Sequence, residues 1–304
     1  MAVDSLWGNT SLLLPLRNDL LDAKGHVITA NNGAALSSAV GNYFGAGNAL
    51  YCDGTNDFLS ANSADFTLGN GDLTIEFGFY PVAPGGHGSA YGRLLAIGPS
   101  STGNGLYISS NASDNPMTLL IEYYTSGYSP LLTYIATPIS NDAWHWFQLD
   151  RIFSGGNYTW NCYVDGTLYA TKVTPINLTR TELAIGANTS GTTAFKGYFS
   201  DVRITKGAAR PSHAVPSTWL PQPEISGIVY DSVGGKVAKV VTAQKRSTLG
   251  NTVATVSNGT TGAYTLYPID YTEHVVTRFD TATYPLVDGG SGENAIIYDR
   301  VTPG

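Results

Sequence analysis

An all-β chain of antiparallel sandwiches is what this sequence predicts, on three observations. Only 13% of its 304 residues are charged, while it carries 35 glycines and 19 tyrosines, a mixture that suits short strands joined by tight turns. Apolar residues recur with period two, and no segment sustains the 3.6-residue period of an amphipathic helix. Asp165-Gly166 stands between two alternating runs, a strong short-range hairpin signal.

The elements follow in order. LTIEFGFYP (73–81) places Leu73, Ile75, Phe77 and Phe79 on one face. In WHWFQLDRIF (144–153), Trp146, Gln148, Asp150 and Ile152 oppose His145, Phe147, Leu149 and Arg151. Apolar groups on both faces predict a strand held between layers. YTWNCYVDGTLYATKV (158–173) reads as a hairpin, because the two central turn residues need positive φ. ELAIGA (182–187) and KGYFSDVRIT (196–205) are further strands. In the last, Tyr198, Ser200, Val202 and Ile204 are expected on one face, with the aliphatic pair in the core. Phe199, Asp201, Arg203 and Thr205 fall on the other, with Asp201 and Arg203 on the sheet surface. The expected core is Leu73, Ile75, Phe77, Phe147, Leu149, Val164, Ile185, Val202 and Ile204, with Trp146 or Trp160 at its edge.

PSHAVPSTWLPQPEISG (211–227) breaks the pattern with Pro211, Pro216, Pro221 and Pro223. Proline at that density removes donors and fixes φ, so no central strand or helix runs through it. The expected organisation is a domain over 1–212, a linker over 213–223 and a second domain over 224–304.

Several function classes drop out. The net charge is −7 with scattered basic residues, so no nucleic-acid partner is expected. No apolar run reaches membrane-spanning length, so no membrane insertion is expected. MAVDSLWGNTSLLLPLRND lacks a charged n-region and a long apolar stretch, so synthesis in a cytoplasm without a secretory leader is expected. Cys52 and Cys162 read as buried free thiols. His26, His87, His145, His213 and His274 show no ligand spacing, and no Ser-His-Asp arrangement is assigned. PGGHGSAYG (84–92) lacks the Lys-Ser/Thr of a phosphate loop. A glycosidase needs two carboxylates on one bond. IEFGFY offers only Glu76 and LLIEYYTSG only Glu122, so no catalytic residue is assigned.

The order of SLLLPLRND, GHVITANNGAA, FGAGNALYCDGTNDFLSANSADFTLGNGDLTIEFGFYP, AWHWFQLDR, YVDGTLYA and FKGYFSDVRITKGAARP resembles the concanavalin A-like, laminin-G-like jelly-roll domains. It is most similar to their version in tailed-bacteriophage virion proteins, over about residues 5–212. The resemblance implies that the last strand closes the sandwich onto the first, with Arg203 reaching across the sheet edge and Gly207 turning the chain away. Laminin-G-like folds often hold a calcium ion, for which Asp53, Asp57 and Asp65 are candidates. Turn aspartates bonded to their own backbone are the favoured reading, so no cofactor is assigned. The family often has an acidic residue where Ser200 stands, which weakens the case for a cation at this edge.

EISGIVYDSVGGKVAKVVTAQKR, TVATVSNGTTGAYTLYP, TEHVVTRFD and NAIIYDRVTPG resemble the small carboxypeptidase-regulatory and transthyretin-like sandwiches. Together the two resemblances imply a non-enzymatic bacteriophage protein on the virion surface, made in the host bacterial cytoplasm. Its expected partners are other virion proteins of capsid or tail, as a decoration or accessory subunit and a homo-oligomer on the particle. The alternative is a tail-tip adhesin or lectin for host surface glycans. Tyr91, Tyr123, Tyr124, Tyr128 and Tyr134 are the candidates for stacking on a glycan or a partner.

Overall fold

The computed structural model describes residues 6–45, 47–82, 91–99, 103–111, 117–124, 128–210, 213–215, 225–228, 240–245, 253–257, 260–261, 263–266, 274–279 and 296–301. For 128–139 the side chains described are those at 131, 132 and 139. The chain divides into two compact units, residues 9–220 and residues 221–304 with 1–8. Among the described residues no helix is long and apolar enough to cross a membrane.

Among the described residues, the regular structure of the first unit is strand, with short 3-10 turns. Its strands are β1 (Thr10–Leu14), β2 (Thr29–Asn31), β3 (Ala35–Ser37), β4 (Ala49–Asp53), β5 (Phe58–Asn62), β6 (Leu73–Pro81), β7 (Tyr91–Ile97), β8 (Gly105–Asn111), β9 (Met117–Tyr124), β10 (Tyr128–Ile139), β11 (His145–Ser154), β12 (Asn157–Val164), β13 (Thr167–Val173), β14 (Glu182–Ile185) and β15 (Lys196–Lys206). One sheet runs β13-β12-β11-β6-β15-β4-β3, with β1 also paired to β15. The other runs β10-β9-β8-β7-β14-β5-β2.

Between them lies one apolar core. Leu12, Leu50, Ile75, Phe77, Phe147, Leu149, Val164, Val202 and Ile204 enter from the first sheet, and Leu95, Ile108, Ile121 and Ile185 from the second. Each such side chain contributes about 1.5–3 kcal/mol by leaving water. All nine expected core residues are in this cluster. The β12–β13 hairpin turns where expected, with Asp165 at φ 50° and Gly166 at φ 77°. Arg151, on the core-facing side of β11, is fully buried and donates to the carbonyls of Leu68, Gly69, Gly71 and Ile176. Burial brings its pKa down to about 10. The two tryptophans are not at the core's edge. Trp160 is inside it, whereas Trp146 is buried on the opposite face of the sheet.

β15 departs from simple alternation. Tyr198, Phe199 and Ser200 pair with Tyr80, Phe79 and Gly78, but Arg203 then pairs with Glu76. The strand therefore carries one extra residue, and Asp201 absorbs it in the left-handed region at φ 49°. The expected faces hold after the bulge and invert before it. Val202 and Ile204 are in the core as expected, while Phe199 is in the core and Tyr198 outside it. A second correction concerns Arg203. β15 is an inner strand between β6 and β4 or β1, and Arg203 is fully buried rather than at a sheet edge. The closure of β15 onto β1 is present, and Gly207 leaves the strand at φ 74°.

In the second unit, β16 (Ile225–Ile228) pairs β19 (Ala263–Leu266). A four-stranded sheet runs β18 (Val253–Val256), β17 (Val240–Lys245), β20 (His274–Phe279) and β21 (Ile296–Val301). Pro211, Pro216, Pro221, Pro223, the glycine turn at Gly234-Gly235 and Gly262 lie outside the described residues.

Candidate functional site

The face of the β13-β12-β11-β6-β15-β4-β3 sheet that looks away from the core is polar at one end and aromatic at the other. Alternation along β6 sends Thr74, Glu76, Gly78 and Tyr80 to this face, and β11 sends Trp146, Gln148 and Asp150. Beyond its bulge, β15 adds Arg203 and Thr205.

At the polar end every charge is engaged. Glu76 is 2% exposed and forms an ion pair with Arg210, while the Nε of Arg203 lies 3.9 Å from the same oxygen. Arg203 also donates to the Thr10 hydroxyl at 2.7 Å. Asp150 accepts from Thr74 at 2.7 Å and Gln148 at 3.0 Å, and meets His213 at 2.8 Å. The His213 ring stacks on Tyr163 at 3.9 Å and 12°. Burial pushes both carboxyls above their usual range, opposed at Glu76 by Arg210 and Arg203, and at Asp150 by its hydrogen bonds and His213. Glu76 and Asp150 thus come together from neighbouring strands, which a search along single strands misses. Arg210 and His213, from the segment after β15, cover them, and Arg210 N–H also binds Thr74.

At the other end the rings are partly open. Tyr198 of β15 is paired in register with Tyr80 on β6 and with Tyr51 on β4, which lines up one tyrosine on each of three adjacent strands. The Tyr51–Tyr198 centroids are 4.9 Å apart, Tyr198–Tyr80 5.8 Å and Tyr80–Trp144 5.6 Å. Tyr43 continues from Trp144 at 6.0 Å and reaches Trp146 at 5.1 Å. A Cβ on Gly78 would meet the Tyr43 side chain at 3.0–3.2 Å, so the absence of a side chain there is what seats Tyr43. Tyr51, Tyr80, Trp144 and Tyr43 are half-buried, and Tyr198 is 8% exposed. Burial raises the phenol pKa of all three of Tyr43, Tyr51 and Tyr80, that of Tyr43 to about 12. These hydroxyls remain hydrogen-bond donors at neutral pH.

Other clusters are structural. Ser140 Oγ is 3.3 Å from His145 Nε2, and His145 Nδ1 is 2.7 Å from Asp165. The same Nε2 lies 3.1 Å from the Ser140 carbonyl, an acceptor that competes with the hydroxyl for it. Asp165 also accepts from Trp146 N–H, which ties the hairpin turn to β11. His26 bridges Asp22 at 2.5 Å and Asp65 at 3.1 Å. Asp53 accepts from Thr55 N–H, and Asp57 from Asp53 N–H, so both serve their own turn. Asp65 pairs with His26 instead. Among the described residues no cluster of His, Cys, Asp or Glu has the form of a metal site. Cys52 and Cys162 are free and buried, and burial pushes both thiols up.

Of the five tyrosines singled out in the sequence, the three whose side chains are described, Tyr91, Tyr123 and Tyr124, do not form one platform. Tyr91 is half-buried at the start of β7. Tyr123 packs against the main core, while its neighbour Tyr124 packs on the opposite face with Phe58 and Tyr107. Tyr128 pairs with Tyr124 along the backbone, but the side chains of Tyr128 and Tyr134 lie outside the described residues, as does His87. Nearby, Arg93 is held by Glu122 at 2.8 Å and by Ser109. The residues missed were Tyr43, Tyr51, Tyr80, Trp144 and Tyr198. Their signal was the pairs Phe79-Tyr80 and Tyr198-Phe199, each with one ring inward and one outward.

A laminin-G-type family model, described as the concanavalin A-like lectin/glucanases superfamily, matches residues 53–213. The chain belongs to this superfamily. Its strand order and closed polar end can therefore be set beside other members of the fold. Domain 4 of AbnA, an extracellular arabinanase from Geobacillus stearothermophilus solved with arabinotriose, is 18% identical, covers 67% of this chain and 95% of its own, and superposes with a TM-score of 0.50. The binding domain of botulinum neurotoxin serotype D is 9% identical, with 92% and 74% covered and a TM-score of 0.51. That of serotype G is 10% identical, with 97% and 71% covered and a TM-score of 0.50. At these identities the likeness is one of fold. No curated protein matches the chain.

Proposed function

We propose that residues 9–220 form a non-catalytic glycan-binding module whose platform is the row Tyr51–Tyr198–Tyr80–Trp144. The observation that carries this reading is the in-register placement of three tyrosines on adjacent strands, the outer two, Tyr51 and Tyr80, half-buried and Tyr198 between them 8% exposed, in a lectin/glucanase fold. Sugar rings present C–H faces that pack on such aromatics, and their hydroxyls bond to nearby acceptors. The arabinanase domain seen with arabinotriose supports the use of this fold for a linear saccharide. A non-enzymatic role is supported by Glu76, whose carboxylate is tied to Arg210 and Arg203 rather than open to a substrate.

Of the two roles expected from the sequence, the comparisons favour the adhesin or lectin over the decoration subunit. A bacteriophage setting rests on the sequence resemblance alone. We assign residues 224–304 as an accessory sandwich of transthyretin-like type, in keeping with β16–β21.

A glycan array followed by titration calorimetry tests the reading, with linear arabinan as the first probe. Tyr80→Ala and Trp144→Ala should abolish binding while leaving the fold intact. Loss on Tyr91→Ala or Tyr124→Ala instead would move the site to the other sheet, and no saccharide binding at all would sink it.

A further inference from the structure

We propose that the aromatic row accepts an uncharged glycan chain laid across the strands and excludes chains that carry carboxylate or sulfate groups. This rests on the platform reading above. Carboxylates bracket the row. Asp53 is exposed on the same face of β4 as Tyr51, two residues along. At the other end Asp142 is exposed, and its N–H donates to the Pro81 carbonyl at 2.7 Å, which places it beside Tyr80. Asp165 is held against Trp146 N–H at 2.7 Å with its side chain 46% exposed.

The arginines of this face are committed elsewhere. Arg203 and Arg210 serve Glu76, and Lys196 stands opposite Asp53 in the β15–β4 register. The charges that reach the ring hydroxyls tell the same story. Asp53 and Asp57 act on Tyr51, Asp142 on Tyr80 and Asp165 on Tyr43, each raising a phenol already raised by burial. An anionic chain on these rings would lose water and meet like charge. A neutral chain would instead donate its hydroxyls to Asp53 and Asp142, as charge-assisted hydrogen bonds. One ring per strand, at the inter-strand spacing of about 4.8 Å, favours a chain that runs perpendicular to the strands.

The experiment is calorimetry of the full chain with two length-matched probes, linear arabinan as the neutral chain and polygalacturonate as the anionic one. At low salt the anionic chain should bind at least about tenfold more weakly. The gap should narrow at high salt, where exposed charges are screened, and in the Asp53→Asn/Asp142→Asn double variant. Polygalacturonate binding as tightly as arabinan in the unaltered protein at low salt would overturn the charge selection and leave the platform standing. Binding of neither probe, or arabinan binding untouched by Tyr80→Ala and Trp144→Ala, would overturn the platform reading and this inference with it.

Discussion

Arg210 closes over Glu76: its guanidinium, one-fifth exposed, pairs with a carboxylate that is 2% exposed in the middle of a sheet face. The covering residue comes from the chain that leaves β15, so the polar half of that face is sealed by the protein's own continuation. The consequences can be measured.

Arg203→Ala should be severe. It removes the fully buried partner of Glu76 and the donor to Thr10, and breaking a buried pair costs about 3–5 kcal/mol. On the sheet surface, where the sequence placed it, this arginine would cost less to lose. Arg210→Ala, at the partly exposed position, should cost about 2 kcal/mol. Urea unfolding followed by tryptophan fluorescence ranks the two, and the reverse order would contradict the arrangement.

The bulge in β15 makes neighbouring substitutions diverge. Phe199→Ala should cost about 3–5 kcal/mol, as a core ring lost. Tyr198→Ala should cost about 1 kcal/mol, as a ring on the outer face. Val202→Asp should unfold the unit by burying an unpaired carboxylate. Equal losses at 198 and 199 would argue against the register.

His26 predicts a pH dependence. Its pKa is raised, chiefly by hydrogen bonding to Asp22. A raised folded value means the charged form is favoured in the folded state. The stabilisation is then complete below the ordinary histidine value of about 6.5 and is lost as pH rises through the folded value. Thermal unfolding between acid and alkaline pH should show this slope, and Asp22→Asn should flatten it.

Gly78→Ala should dislodge Tyr43. The added Cβ would stand 3.0 Å from the Tyr43 side chain, a collision costing about 1–3 kcal/mol if the ring cannot give way. Trp146, now under Tyr43 and Phe44, should become more exposed, read as a red shift in its fluorescence. An unchanged spectrum would mean that the loop yields without uncovering it.

Incubation with arabinan or a β-glucan should give no reducing ends. Glu76→Gln should lower stability without changing that result. Turnover that disappears with Glu76→Gln would make the buried carboxylate a catalytic group.

Most of the first unit was readable because its signals are local. Period two located β6, β11 and β15 to within a residue or two, and one dipeptide fixed the β12–β13 turn. The bulge was not readable, since Y-F-S-D-V-R-I-T alternates acceptably in either phase and only the pairing with β6 shows where one residue is extra. The aromatic row escaped for a related reason. Tyr51, Tyr80 and Tyr198 become neighbours only through the β4–β15–β6 order, which joins residues more than a hundred positions apart. A search for tyrosines close in sequence went instead to Tyr123 and Tyr124, which the pleat sends to opposite faces.

The extra residue at Asp201 means that β15 is written in two frames. A single deletion between Ser200 and Arg203 would not shorten a turn. Loss of Asp201 would leave a regular strand, with Phe199 and Val202 still inward and Arg203 still facing Glu76, whereas a deletion elsewhere in β15 would exchange inside for outside along one half of the strand. The bulge is therefore the one place in β15 where a residue can be lost without inverting the pattern of inward and outward side chains. A gap-free alignment of this strand with a relative lacking the bulge would set a core position against a surface one.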